Sequence, residues 1–503
     1  MYVDCSAAKG GYGSADHPFN DVASASRVRL GPGDSLRFRR GSTCRGMLTP
    51  VGSGAPGKPV TIGAYGSASD ALPVITGGSA KAAVWLADLS YVTVADLALS
   101  NTGDSKQLHD GMYFTSDKSP VTGITIRDLV VDHVDSLSSF DGGKHSGGIV
   151  GETLSPTGRF SDVLIENNAV RHASRQGITV YGSSVTSTRP AASAHWPQGS
   201  SGVVIRGNHV AQIAGDGIVA LGTDGARIER NVVQEVNLSG RNFLAADRNC
   251  SAGVWAFDAN NTLIQYNEVS DSRYGPSTKP GALDGCDGTA FDVDGHQDGT
   301  IVQYNYSHDN AGGFILLCLS GGTTAEPNPP HHGEVRFNLS VDDAATFNPS
   351  PCAGDFDPAV NNLDGIRLYN NTFVAPLPRV TLELGPPIAG YYGESVFDNN
   401  IVYATAPGAP KDAFACGSSC ANNVFFNMPA PATATKTLTS DPQFVDPTRR
   451  GAGFEIADAF RLQPTSVAFG AGAPTPAGSG APATRDFFGN ALAQPPTIGF
   501  AAK

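Results

Sequence analysis

One short phrase constrains this chain more than any other feature: an apolar residue, two variable residues, then Asn. It stands at Ile165–Asn168, Ile205–Asn208, Ile228–Asn231, Ile264–Asn267, Val302–Asn305, Val335–Asn338, Leu368–Asn371 and Phe397–Asn400. Successive Asn residues lie 40, 23, 36, 38, 33, 33 and 29 residues apart. The shortest interval is close to one turn of a three-sided solenoid, and the longer ones fit that turn with an inserted loop. Ile, Val, Tyr, Phe and Thr dominate each phrase and Gly, Asn and Asp flank it, so strands ended by tight turns are predicted. Asn residues stacked at an equivalent turn would hydrogen-bond from coil to coil along the axis.

A second strand follows each phrase, led by glycine: Gln176-Gly-Ile-Thr-Val-Tyr, Asp216-Gly-Ile-Val-Ala-Leu, Ala252-Gly-Val-Trp-Ala-Phe, Asp287-Gly-Thr-Ala-Phe-Asp and Gly312-Gly-Phe-Ile-Leu-Leu. Stacked, these strands make one parallel sheet. Period-two alternation points Ile178, Ile218 and Val254 into the core and Thr179, Val219 and Trp255 outward. The outward side of this sheet is the expected place for function.

Composition agrees with an all-β solenoid. With 60 Gly and 34 Pro in 503 residues and only 16% charged residues, helical bundles and coiled coils are excluded. No stretch of about 18 apolar residues could span a bilayer. A net charge of −13 disfavours nonspecific binding to nucleic acid or an anionic membrane surface, and a monomer is expected. Eight cysteines without the paired short spacings of a zinc site suggest sequential disulfides, Cys5–Cys44, Cys250–Cys286, Cys318–Cys352 and Cys416–Cys420. They predict an oxidising, extracellular setting, with a signal peptide absent from the sequence given.

The Asn-ended repeats, with Tyr304-Asn-Tyr-Ser-His-Asp-Asn-Ala-Gly-Gly-Phe314, resemble the right-handed parallel β-helix proteins of the pectate-lyase-like superfamily. Gly31-Pro-Gly-Asp-Ser-Leu-Arg-Phe and Pro59-Val-Thr-Ile-Gly-Ala-Tyr are similar to their first coils. Asp441-Pro-Gln-Phe-Val-Asp-Pro and Phe460-Arg-Leu-Gln-Pro are similar to their close. The resemblance implies a single-domain solenoid: an entry cap and first coils over 1–93, a body carrying the cleft over 94–403, and irregular closing coils over 404–503. Asp16-His-Pro-Phe-Asn-Asp-Val-Ala-Ser-Ala is a candidate short helix in the cap. The fold hosts lyases, hydrolases and proteins without catalysis, so the reaction has to come from the site.

The richest segment for chemistry runs from Leu283 to Gly299 and holds Asp284, Asp287, Asp292, Asp294 and Asp298. Asp292 and Asp294 are two apart on an expected strand and so share a face. The preceding coil adds Asp258 and the following one His308 and Asp309. A glycosidase needs one carboxyl group kept protonated and another ionised, a division that crowding and partial burial produce. Asp292 and Asp294 lead this catalytic set, Asp258 and Asp287 assist, and His308 beside Asp309 can orient a base or protonate a leaving group. Asp284 and Asp298 read as turn residues.

Around the acids, Trp255, Tyr181 and Phe257 lie on the outward side and would stack on sugar C–H faces. Arg175, Lys144, His145 and Asp216 are further candidates for substrate contact, with Tyr274 on an inserted loop that walls the cleft. The leading expectation is a secreted glycoside hydrolase acting on a poly- or oligosaccharide, with no cofactor. A first alternative, carried by the resemblance, is a polysaccharide lyase in which Ca2+ neutralises a uronate while Lys144 or Arg175, helped by His145, takes the α-proton. A glycan-binding solenoid without catalysis is the second. Gly-x-Ser-x-Gly, P-loop and His-Glu-x-x-His motifs are missing, which removes the α/β-hydrolase, nucleotide and zinc-protease readings.

Overall fold

Three parallel sheets, of 16, 13 and 9 strands, wind along one axis. The computed structural model describes residues 1–104, 106–137, 144–182, 199–238, 250–273, 287–320, 332–344, 348–353, 365–376, 395–408, 419–474 and 482–502, with backbone alone at 318–320 and 348–353. One coil runs through Phe160–Glu166 in the first sheet, Ala169–Ala173 in the second and Gln176–Tyr181 in the third. Ser200–Arg206 then returns to the first sheet, paired in parallel with Phe160–Glu166.

The repeated phrase sets the register. Ile165, Ile205, Ile228, Ile264, Val302, Val335, Leu368 and Phe397 stack as direct partners in the first sheet, and all are buried. A one-residue slip would turn this whole column out to solvent, so burial fixes the pairing. The Asn ending each phrase forms a buried ladder. Asn267 Nδ2 donates to Asn305 Oδ1 at 3.1 Å and to the Ile228 carbonyl at 2.8 Å, while Asn267 Oδ1 accepts from the Asn231 amide at 3.0 Å.

The residue before each ladder Asn takes a left-handed backbone, even where it is large: Tyr266 at φ 55°, Tyr304 at 56° and Phe337 at 52°. Such a conformation costs about 1–2 kcal/mol for a residue with a Cβ. Several hydrogen bonds per ladder Asn, each contributing about 1 kcal/mol net, outweigh it. The ladder runs one coil beyond the expected phrases, to Asn423, whose Oδ1 accepts from the Asn400 amide at 2.8 Å. Cys420 takes the apolar place there, which hides the phrase from a pattern of aliphatic residues.

Glycine leads the third-sheet strands because neighbouring coils approach too closely for a side chain. A Cβ on Gly177 would lie 2.4 Å from the Gly217 carbonyl oxygen, and one on Gly217 at 2.4 Å from that of Gly253.

Sheet pairing begins at Tyr2–Val3, which lies beside Ser35–Arg39. The helix expected within Asp16–Ala25 is confined to Val22–Ser26, because Asp21 caps it by accepting the Ser24 amide at 2.7 Å. Cys5 and Cys44 are joined as expected, and Cys250 and Cys420 are also disulfide-bonded. Their assigned partners Cys286 and Cys416, and the side chains of Cys318 and Cys352, lie outside the described residues. At the far end, Phe444, Phe460, Phe487 and Phe500 pack against Tyr304, Tyr306, Phe337 and Tyr369 on the outside of the later coils, so the closing segment adds a second apolar layer.

Candidate active site

The third sheet carries the site, and its register explains which side chains meet. Phe291 is the partner of Val254 in the core, so the next residue, Asp292, stands beside Trp255 on the outside. Thr179, Val219, Trp255 and Asp292 form one outward column across four coils. Ile178, Ile218 and Val254 lie in the main core, as expected, while Val219, Leu221, Trp255 and Tyr181 make a separate apolar cluster outside it.

Turns at both ends of the strand Thr289–Val293 add the other acids. Asp287, in a left-handed conformation at φ 51°, bridges Ser251 of the previous coil. Asp294 follows the strand and accepts the Gly295 amide at 2.6 Å. Asp258, at the equivalent end of the previous coil, accepts at Oδ1 from His296 Nδ1 at 2.6 Å.

Burial and like charge together keep protons on this cluster. Burial first, then Asp216 and Asp294, pushes Asp287 up to about 7. Asp292, 4% exposed, is raised well above the ordinary carboxylate range by burial and by Asp294 and Asp287. Among the described residues its Oδ1 is buried without a hydrogen-bond partner, which suits a neutral carboxyl better than a carboxylate. Asp294 is raised to about 6 by burial, held lower than its neighbours by the Gly295 amide and the charges of Lys144 and His296. The three acids feel one another and therefore titrate as a set.

Lys144 comes from the turn before the strand Gly147–Thr153, yet its charge reaches all three acids. The loop is anchored where Tyr181 Oη donates to the Lys144 carbonyl at 2.7 Å and where the His145 ring stacks on Tyr181 at 4.5 Å. Asp287, Asp292 and Asp294 are oxygen donors of the type Ca2+ takes, but their carboxylates do not gather within 4.8 Å of one another. Positive charge from Lys144 already faces them.

The remaining candidate residues are already engaged or lie elsewhere. Arg175 is not available to substrate: it is wholly buried, with Nη1 donating to Asp216 Oδ2 at 3.0 Å, to Gln176 Oε1 at 3.2 Å and to Ser251 Oγ at 3.2 Å. Asp216 is equally committed, accepting the Trp255 indole N–H and the Ala252 amide at 3.0 Å each. Breaking a buried pair of this kind by removing one partner costs about 3–5 kcal/mol, so these residues hold the wall under the acids. Trp255 and Tyr181 face outward but are only 7% and 3% exposed, so they pack rather than stand open; Phe257 is half-buried. His308 belongs to the second sheet, on Tyr306–His308, where Asp309 and Glu268 hold it at 2.8 and 3.4 Å. It does not join the acid cluster. Tyr274 and Asp284 lie outside the described residues, and Asp298 contacts His332 Nδ1 at 2.9 Å.

Two participants escaped the sequence reading. Glu152 shares the outward face, taking the Tyr113 hydroxyl at 2.6 Å and contacting His145 Nδ1 at 2.7 Å, so its carboxyl is held below its ordinary value despite burial. Alternation along Gly147-Gly-Ile-Val-Gly-Glu would have found it, since Ile149 is inward. His296 carries no local signal for its contact with Asp258, 38 residues away.

Comparison with known proteins agrees with this architecture. A right-handed β-helix region is matched over residues 157–328. Lacto-N-biosidase of Bifidobacterium longum subsp. longum is 27% identical over 467 aligned residues, covering 76% of this chain; the chain spans 27% of that protein's length. The structure of GH136 lacto-N-biosidase from Eubacterium ramulus superimposes with a TM-score of 0.62 at 25% identity, covering 78% of this chain and 66% of that one. XylC in complex with xylose is similar in fold alone, with a TM-score of 0.57 at 13% identity over 100% of this chain and 98% of that one. The solenoid is a right-handed parallel β-helix.

Proposed function

We propose that this β-helix is a glycoside hydrolase acting on an oligosaccharide, with Asp287 as proton donor and Asp294 as the ionised carboxylate. The observation that carries the reading is the division of protons among neighbouring acids on one outer face. Burial raises both Asp287 and Asp294, and the Gly295 amide at 2.6 Å together with His296 draws Asp294 back toward the ionised form, so the first keeps its proton more readily than the second. Asp287 gives its proton to the glycosidic oxygen as the C–O bond breaks. Asp294 supplies the electron pair, directly at the anomeric carbon or through a water that it deprotonates. Asp292 keeps its proton throughout and spaces the other two. Lys144 offsets the negative charge that remains.

The identity with lacto-N-biosidases supports the reaction class and makes lacto-N-biosides the first substrates to assay. The β-elimination alternative is weakened at Arg175, which is locked against Asp216 and out of reach as a base. The Cys5–Cys44 disulfide supports a secreted protein.

Incubation with a panel of oligosaccharides that includes lacto-N-biosides, read by mass spectrometry and an ultraviolet scan, tests the proposal. Products whose masses together exceed the substrate by one water, with new reducing ends and no absorbance from a conjugated double bond, are expected. Unsaturated products would establish the lyase instead, and saturable binding without any product would leave a glycan-binding module.

A further inference from the structure

On the outer side of the second sheet, two adjacent coils bring metal-ligating side chains together, away from the acid cluster. Asp132 and His133 lie on Val130–Val134, and His172 on the paired strand Ala169–Ala173. His133 and His172 both take left-handed backbones, at φ 59° and 52°. Each breaks the two-residue alternation, so Asp132 and His133 stand outside between buried Val131 and Val134, and Arg171 and His172 between buried Val170 and Ala173. Asp132 Oδ1 lies 2.7 Å from His133 Nδ1 and 2.8 Å from His172 Nδ1, and the two rings are 4.6 Å apart. Arg171 Nε holds the other carboxylate oxygen at 2.8 Å, orienting Oδ1 toward both imidazoles.

We propose that Asp132, His133 and His172 bind a divalent transition cation of the Zn2+ class and thereby tie two coils together. With bonds of about 2.0–2.2 Å, two ligand atoms on such an ion stand roughly 2.9–3.5 Å apart, so each Asp132–imidazole distance need only open by a few tenths of an ångström, and the ligand atoms of all three residues already lie within 4.8 Å of one another. Two imidazoles and one carboxylate suit Zn2+, Ni2+ or Cu2+ rather than Ca2+ or Mg2+, which take oxygen sets. The site is open, His133 and His172 having side chains 62% and 41% exposed, so water completes the coordination. The nearby Arg171 charge tempers affinity while fixing the carboxylate, the role an outer hydrogen-bond partner plays at metal sites.

The test is calorimetric titration of the EDTA-treated chain with ZnCl2, beside H133N, H172N and D132N. Asn accepts the left-handed backbone, so the histidine variants keep the fold, and thermal melting without metal checks this. Expected is one saturable Zn2+ site that is absent with MgCl2 and weakened about tenfold or more in each variant. No saturable site in the natural sequence, or undiminished binding in the H133N/H172N double variant, would overturn the proposal.

Discussion

Asp294→Asn is expected to lower kcat/KM by about 10³-fold or more while leaving the melting temperature close to that of the unsubstituted protein. Asn is nearly isosteric, and its side-chain oxygen can still accept the Gly295 amide that Asp294 takes at 2.6 Å. It cannot supply the electron pair. Asp294 is the acid of the cluster that the Gly295 amide, Lys144 and His296 bias toward ionisation, so its loss removes the nucleophilic or basic half of the reaction. The measurement is kcat/KM on whichever oligosaccharide the unsubstituted protein hydrolyses, with a melting curve of each protein. Retained turnover in a folded Asp294→Asn variant would place the carboxylate elsewhere.

Asp287→Asn is expected both to abolish proton donation and to stabilise the protein at alkaline pH. The Asp287 carboxyl is raised to about 7 in the folded chain, against about 3.9 when unfolded. The folded state therefore holds this proton more tightly. That contribution is complete below about pH 4 and is lost as pH rises through about 7, at a cost on the order of 2–4 kcal/mol. Asn, always neutral, escapes the loss. Melting curves should separate upward for the variant at pH 8.5 and converge near pH 4. Parallel curves at both values would mean that the Asp287 carboxyl ionises as freely in the fold as in water.

Much of the fold is legible in the sequence because solenoid information is repeated. The Asn ladder and the Gly-led strands recur in enough coils to reveal the stacking, and stacking plus alternation put Asp292 beside Trp255. What stayed hidden is pairing between single residues of different coils. Nothing in Ser174-Arg-Gln or in Asp216-Gly announces a buried ion pair across 41 residues, and that pair takes Arg175 and Asp216 out of substrate contact. The burial of Trp255 and Tyr181 likewise comes from packing with Val219 and Leu221 of the coil between them, not from their own strands. His308 was readable and misplaced: residues directly after a ladder Asn enter the second sheet, and Tyr306–His308 follows Asn305.

Burial on the strand Thr289–Val293 and its two ends, with Asp216 and Asp258 of earlier coils close by, raises Asp287, Asp292 and Asp294 until they hold protons near neutral pH. The retention of these protons is tested most directly by carboxyl titration of the intact chain carrying 13C at its aspartate side chains, with resonances assigned from the three Asn variants. Expected are carboxyls that still hold protons at pH 6 and whose titrations shift when a neighbouring acid is replaced. Three carboxyls already ionised at pH 5, each unmoved by replacement of the others, would contradict it.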